Sequence, residues 1–351
     1  MVEEKMLTKR FTLLVLVILI FSLLLPACSS SPQGEVPDLG TIQVGYLPAT
    51  GFFGFYVAKE KGYFEEQGLD VELTSFKSGA EMIAPLSTGQ LDAGAGEPGT
   101  ALFNASSQNL DIKVVCGFSS QAAGHGGVPI LVRKDLADSG EVTGPGDLKG
   151  RKIGINVPRG MAEYSVAKYL AKDGLTIDDV ELVPIPFSEM PAAFANQAID
   201  AGMMTYPSVA KALNDGSAEI LVSGDQIAGE IQNGIMYFGQ RFLDPANKEV
   251  AVRFLMAYLK AIRELQGDDW KTDEILQIVN TYTNQPPEVI KSGVLSFNDP
   301  NCAMNTDSLE DVQNYYLTRG YTDYTEAIPL SQYIVEDYVK EALARMGEYK
   351  P

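Results

Sequence analysis

The sequence predicts an α/β protein built as two lobes. Three observations carry that expectation. Strand-like and helix-like segments alternate along most of the chain, joined by short loops rich in Gly and Pro, as in units with largely parallel sheets. The segment after residue 40 is about 310 residues long, beyond the size at which one core keeps growing. Two stretches about 110 residues apart echo each other: Gly89-Gln90-Leu91-Asp92-Ala93-Gly94, and Asn196-Gln197-Ala198-Ile199-Asp200-Ala201-Gly202.

The chain opens with Lys5, Lys9 and Arg10, then an apolar run over 13–25 broken only by Ser22. Leu25-Pro26-Ala27-Cys28 follows. A basic head, a short apolar core and a small residue before the cut site form an export signal. The Cys directly after Leu-x-Ala matches a bacterial lipobox, so residues 1–27 read as a lipoprotein signal peptide and Cys28 as its lipidated residue. The run is shorter than the roughly 20 residues of a spanning helix. Glu3 and Glu4 are unusual in such a head, and Met6 is an alternative start. Residues 28–40 are small, polar and Pro-containing, the composition of a flexible tether. The expected location is the cell envelope, outside the membrane and held to it by lipid.

Each element of the body follows from its local pattern. Residues 41–47 alternate as a strand, 47–54 form a Gly/Pro loop, and a helix over 55–61 closes at Gly62. Residues 70–76 form a second strand, a helix opens at Ser78-Gly79, and 91–95 is a short third strand ended by Gly96-Glu97-Pro98-Gly99. Helix over 100–107 and strand over 112–116 complete a first lobe at 41–132. The second lobe, 133–238, contains a stretch over 148–156 that leads into a strand, further strands at 180–184, 199–204 and 220–222, and helices at 161–173, 189–197 and 208–214. Residues 239–351 are mainly helical, with segments over 249–265, 273–284, 308–319 and 332–346. Crossings between lobes are expected near 128–135 and 237–240.

Composition narrows the function. The formal charge is −19, and removal of residues 1–27, which hold three basic and two acidic residues, takes it to −20. Such acidity argues against nucleic acid, whose phosphates are bound by Lys and Arg. One His, His125, rules out zinc sites with two or three His ligands, and neither a Gly-x-Ser-x-Gly elbow nor a phosphate-binding Gly-x-x-x-x-Gly-Lys-Ser/Thr loop occurs. The sequence thus calls for no catalytic residue, metal or cofactor. Cys116 and Cys302 could pair in an oxidising compartment, although two unpaired buried thiols are the favoured reading.

Five ordered stretches resemble one family: 44–73 (VGYLPATGFFGFYVAKEKGYFEEQGLDVEL), 78–105, 147–160, 175–207 and 250–264. Together they resemble the ABC-transporter solute-binding proteins of the aliphatic-sulfonate, nitrate and thiamine-precursor group. The resemblance spans nearly all of 41–346. It implies a periplasmic-binding-protein fold of type II with a ligand cleft between hinged lobes, the helical segment 239–351 returning to complete the first lobe. It also implies a monomer that delivers a small molecule to an ABC permease and its ATPase. Some relatives are pyrimidine-forming enzymes that depend on a Cys-rich motif and a cofactor-linked Lys and His. This chain has no such cluster and no His near Lys59 or Lys61, so a non-enzyme is expected. A sensor lipoprotein without transport is the third class.

The family pattern places loops from both lobes at the cleft, at the carboxyl ends of strands where ligands of open α/β sheets sit. Phe52, Phe53 and Tyr206 are candidates for stacking on a flat ligand. Gly79 and Gly160 offer backbone donors at helix starts. Arg159 is the one cation in these loops, able to pair with an anion or with Glu163 four residues on. Glu97 stands where the resembled relatives carry a small residue; it disfavours an anion and suits ring N–H or amine groups. His125 falls near the hinge, with a structural role favoured. The balance tilts toward a planar heteroaromatic such as a pyrimidine or flavin, with a sulfonate or nitrate as the alternative. Cys28→Ser is expected to abolish incorporation of a lipid label and to move the protein out of the membrane fraction; unchanged attachment and labelling would refute the anchor.

Overall fold

The computed structural model describes residues 37–350. The signal peptide, most of the tether and Cys28 lie outside the described residues. Two five-stranded sheets organise the rest. The first holds β1 (Ile42–Tyr46), β2 (Val71–Ser75), β3 (Ala93–Gly96), β4 (Lys113–Ser120) and β10 (Gln232–Phe238) in the order β2-β1-β3-β10-β4. The second holds β5 (Ile130–Arg133), β6 (Lys152–Ile155), β7 (Glu181–Pro184), β8 (Ala201–Met203) and β9 (Ala218–Val222) in the order β7-β6-β8-β5-β9.

The sheets share one plan. In each, the first three strands run parallel, with β1 between β2 and β3, and β6 between β7 and β8. In each, the fourth strand is antiparallel and has just crossed from the other sheet: β10 lies between β3 and β4, and β5 between β8 and β9. The expected α/β class and two-lobed design are therefore present, and the echo at Asp92 and Asp200 marks equivalent entries to β3 and β8.

The crossings differ from the sequence-based expectation. The chain leaves the first sheet after Ser120 and enters the second at Ile130; it leaves after Val222 and returns at Gln232. The crossings are thus 121–129 and 223–231. Residues 130–132, assigned by sequence to the first lobe, belong to the second sheet. Residues 232–238, assigned to the second, form the central strand β10 of the first. Five of the seven residues of β10 from Gly234 on are buried without alternation, as expected of a strand covered on both faces. Its partners lie more than a hundred residues upstream, which no local pattern reveals.

The C-terminal helices cover the first sheet. Helix α5 (Lys248–Glu264) buries Val250, Phe254, Leu255, Tyr258, Leu259 and Ile262; their three- and four-residue spacing is a helical core stripe. It packs on α1 (Phe53–Glu60), where a Cβ at Gly54 would stand 2.7 Å from the Tyr258 ring. Only Gly permits that approach. Helix α7 (Thr306–Thr318), by contrast, touches both lobes. It packs on α2 (Thr100–Ser107) and β10 of the first and on α3 (Met161–Leu170) of the second.

Cys116 in β4 and Cys302 form a disulfide, with Cα atoms 4.9 Å apart. This corrects the expectation of two free thiols. Their sequence separation of 186 residues hid the proximity; folding the C-terminal segment back onto β4 creates it. Closing so long a loop restricts the unfolded chain. Reduction, or a double substitution to Ser, is expected to lower unfolding stability by about 2–5 kcal/mol. Denaturant melts of full-length protein with and without reductant check this; coincident curves would count against it.

Candidate functional site

The carboxyl ends of the parallel strands in the two sheets face a common cavity. From the first lobe it is lined by Leu47, Gly51 and Phe52 after β1, by Gly79, by Gly96 and Glu97 at the end of β3, by Phe118 and Ser119 of β4, and by Asn233 and Gly234 of β10. From the second come Asn156 after β6, Met161 and Ala162 of α3, Phe187 after β7, and Met203 and Thr205 at the end of β8. Gly127 and Val128 of the first crossing and Ser296 complete it. The space is about 90 Å³, several times what one water needs at roughly 10–15 Å³.

The walls are mostly apolar. Phe52 is 7% exposed and its ring centre lies 4.9 Å from that of Phe118. Phe187 adds an aromatic side chain from the other lobe. Glu97 is the one charged side chain among the lining residues; no Lys, Arg or His is among them. Its placement is built from the backbone outward. Tyr237 of β10 donates its hydroxyl to the Glu97 carbonyl. Gly79 and Gly96 bring their chains together: a Cβ on Gly96 would lie 2.7 Å from the Gly79 Cα. Across the lobes, Gly160 leaves room for the carboxyl, since a Cβ there would stand 2.8 Å from Glu97 Oε1. The carboxyl faces the Met161 N–H at the start of α3. Burial pushes its pKa up to about 7, and that backbone hydrogen bond works in the opposite direction.

Asn156 and Asn233 add two buried amide oxygens, beside the buried Ser119 and Ser296. The Oδ1 of each is buried without a hydrogen-bond partner. Asn233 sits where the pairing of β10 with β4 slips on both sides, between Gln232 and Gly234 and again before Ile235. Such irregularities re-aim side chains beside sites.

The sequence-predicted residues divide. Phe52, Gly79 and Glu97 line this cavity. Gly160 and Arg159 line a neighbouring crevice of about 20 Å³ that also borders Glu97. The Arg159 guanidinium lies 5.0 Å from the Tyr321 ring centre, while its backbone N–H donates to Glu163 Oε2 at 2.7 Å. Of the two readings for Arg159, the geometry thus gives a backbone contact to Glu163 and a cation-π contact, neither aimed into the cavity. Phe53 is 2% exposed and packs on Trp270 and Tyr56, behind the loop. Tyr206 is buried in the second lobe, against Gly293, and Thr205 faces the cavity instead. His125 lies in the first crossing beside Phe297.

Sequence reasoning passed over Phe118, Phe187, Asn156 and Asn233. Asn156 directly follows the apolar strand residues Ile153-Gly154-Ile155, a position where a polar side chain signals a cleft. Asn233 carries no such signal.

Around the cavity the lobes meet in a polar seam. Asp311 of α7 accepts from the Tyr164 hydroxyl at 2.5 Å and pairs with Lys168 at 2.6 Å, both on α3. Tyr315 donates to Glu163 at 3.3 Å, and Arg319 binds Asp178 through two 2.7 Å hydrogen bonds. The Thr100 hydroxyl donates to the Arg159 carbonyl at 3.2 Å.

Comparison with known proteins places this architecture. A family model described as NMT1/THI5 like matches residues 49–268, more than half of the chain. An inferred binding protein of Brucella abortus is 30% identical over 183 residues, 51% of this chain and 52% of that protein; the match thus spans about half the length of that relative. A riboflavin-binding protein, RibY of Chloroflexus aurantiacus, is 24% identical over 259 residues, 72% of this chain and 70% of its own. Among solved structures, the nitrate-binding protein NrtA of Synechocystis superposes with a TM-score of 0.74 at 17% identity, covering 89% of this chain and 90% of NrtA. The alkanesulfonate-binding protein SsuA of Xanthomonas axonopodis, bound to MOPS, gives 0.69 at 18%, covering 86% and 100%. The desulfurization enzyme DSZB gives 0.60 at 17%, covering 87% and 99%. At these identities the structures share the fold alone.

The Glu97 carboxyl sets a pH dependence. Its folded-state pKa of about 7 lies above the ordinary 4.5, so the folded state holds the proton more tightly. Its contribution is most favourable below about pH 4.5 and declines as pH rises to about 7. The side chain keeps some surface open, which screens the effect. Glu97→Gln is expected to remove a decline of about 1–3 kcal/mol across that window. Denaturant melts at pH 4.5 and 8 measure it; parallel pH profiles for the two proteins would refute the assignment.

Proposed function

Because the chain belongs to the NMT1/THI5-like family, we propose that it is an extracytoplasmic solute-binding receptor of an ABC importer. It captures a small planar heteroaromatic solute between its lobes and delivers it to a membrane permease. Cys28 carries the lipid that holds it at the membrane, and the receptor works as a monomer.

The observation that carries this reading is the cavity itself. It lies between two lobes joined by two crossings, has aromatic side chains from each lobe, and is lined by a single charged side chain, an acid. Aromatic faces and a few convergent polar groups are how flat organic ligands are held. The riboflavin-binding name of one relative agrees with a flat ligand. Sulfonate or nitrate, bound by proteins of the same fold, is the second reading. Anions are drawn to helix N-termini, but at α3 the Glu97 carboxyl faces that end and Arg159 points to Tyr321. The desulfurization enzyme DSZB shares the fold; in this chain both cysteines among the described residues are paired in a disulfide.

A thermal-shift screen of full-length protein tests the reading. At 100 times its dissociation constant, a ligand stabilises by about 2.7 kcal/mol, a rise in melting temperature on the order of 5 °C. Pyrimidines or flavins are expected to give such shifts and sulfonates and nitrate none. Shifts from the anions alone would overturn the ligand class.

A further inference from the structure

The cavity holds two polar groups that nothing in the protein satisfies. The Oδ1 atoms of Asn156 and Asn233 are buried and unpartnered, and of the buried side-chain atoms in that condition among the described residues, these are the two that line the cavity. Buried polar groups are nearly always paired, and an exception needs an explanation. Here the two exceptions come from opposite lobes. Asn156 follows β6 of the second sheet, and Asn233 sits in the irregular start of β10 in the first. Both are acceptors. The third acidic or amide oxygen group at the cavity, the Glu97 carboxyl, is again an acceptor when ionised. Each amide also carries an N–H donor pair, and the hydroxyls of Ser119, Thr205 and Ser296 serve in either sense; the two amide oxygens are the acceptors left without a partner.

We infer that Asn156 and Asn233 are specificity-determining residues that accept hydrogen bonds from N–H groups on two edges of a flat nitrogen heterocycle. The ligand class is then an amino-substituted heteroaromatic ring. This deepens the reading of the site as a receptor for planar heteroaromatics and rests on it. A ligand reaching both amides bridges the lobes, so its donors contribute to closure as well as to recognition. A ring of the same shape without N–H groups would fill the space and leave both oxygens unsatisfied, the situation in which binding sites discriminate most strongly.

The test uses two probes of one shape, 2,4-diaminopyrimidine and 2,4-dimethylpyrimidine, with ethanesulfonate and nitrate alongside. Calorimetry on full-length protein in detergent measures each. The diamino ring is expected to bind at least tenfold more tightly than the dimethyl ring. Asn156→Ala and Asn233→Ala should each weaken the diamino ring at least tenfold and the dimethyl ring less than twofold. Asn156→Asp and Asn233→Asp keep the acceptors and should keep the diamino ring. Each Ala variant should melt no lower than the parent without ligand, because the oxygen it removes is unsatisfied there; this separates lost recognition from lost folding. Equal affinity for the two rings, no binding of either, or equal losses from Ala and Asp would overturn the inference. Flat rings that bind but ignore both amides would sink this inference alone. Ethanesulfonate or nitrate binding more tightly than either pyrimidine would instead sink the receptor's ligand class.

Discussion

The antiparallel ladder that β10 makes with β3 and β4 holds the molecule's working parts in register. This strand arrives from the second lobe and inserts in the middle of the first sheet. Its insertion fixes where the second crossing ends. Its irregular start presents Asn233 to the cavity, and its Tyr237 hydroxyl holds the backbone of Glu97. The stretch from Gly234 on is buried on both faces and paired on both edges, so shifting it would disturb packing and ladders on every side. The polar groups of the site therefore inherit the rigidity of the core.

Electrostatics separates this cavity from what the fold alone would suggest. Helix starts at the ends of parallel strands attract anions, through exposed N–H groups and the helix dipole. Here the protein sets its own acid there. Glu97 reaches from one lobe toward the first turn of a helix in the other, and Gly160 provides the space. Burial between the lobes raises the carboxyl's pKa by taking it from water, against the opposing pull of the Met161 N–H, and makes it part of the lobe interface. A group in that position responds to whatever changes the separation of the lobes. The seam formed by Asp311, Tyr315 and Arg319 lies on the same interface, so the lobes are also held together by groups that never meet the cavity.

Much of the fold was legible because its signals are local. Gly/Pro loops punctuated the strand–helix alternation, and the apolar stripe of α5 marked a core helix. What escaped was non-local. β10 carries no label saying which sheet it joins, and Cys116 and Cys302 are distant in sequence until the C-terminal segment folds back. At the site, loop position was informative but direction was not. Phe52 and Phe53 are adjacent, yet one borders the cavity while the other packs on Trp270. Thr205 and Tyr206 divide the same way. Neighbouring residues point apart, and tertiary packing decides which one faces the cleft. Asn233 was invisible because its exposure to the cavity depends on a slip in strand pairing.

The disulfide has a topological consequence. Both crossings and all five strands of the second sheet lie between Cys116 and Cys302. The second lobe is therefore part of a closed covalent ring whose clasp sits in the first. A protease that cuts the hinge once opens that ring without releasing either lobe. The nicked molecule remains a single covalent particle, able to hold its halves in proximity while the non-covalent seam re-forms. For the extracytoplasmic receptor proposed above, among peptidases and without resynthesis at hand, a single cut need not dismantle the cleft.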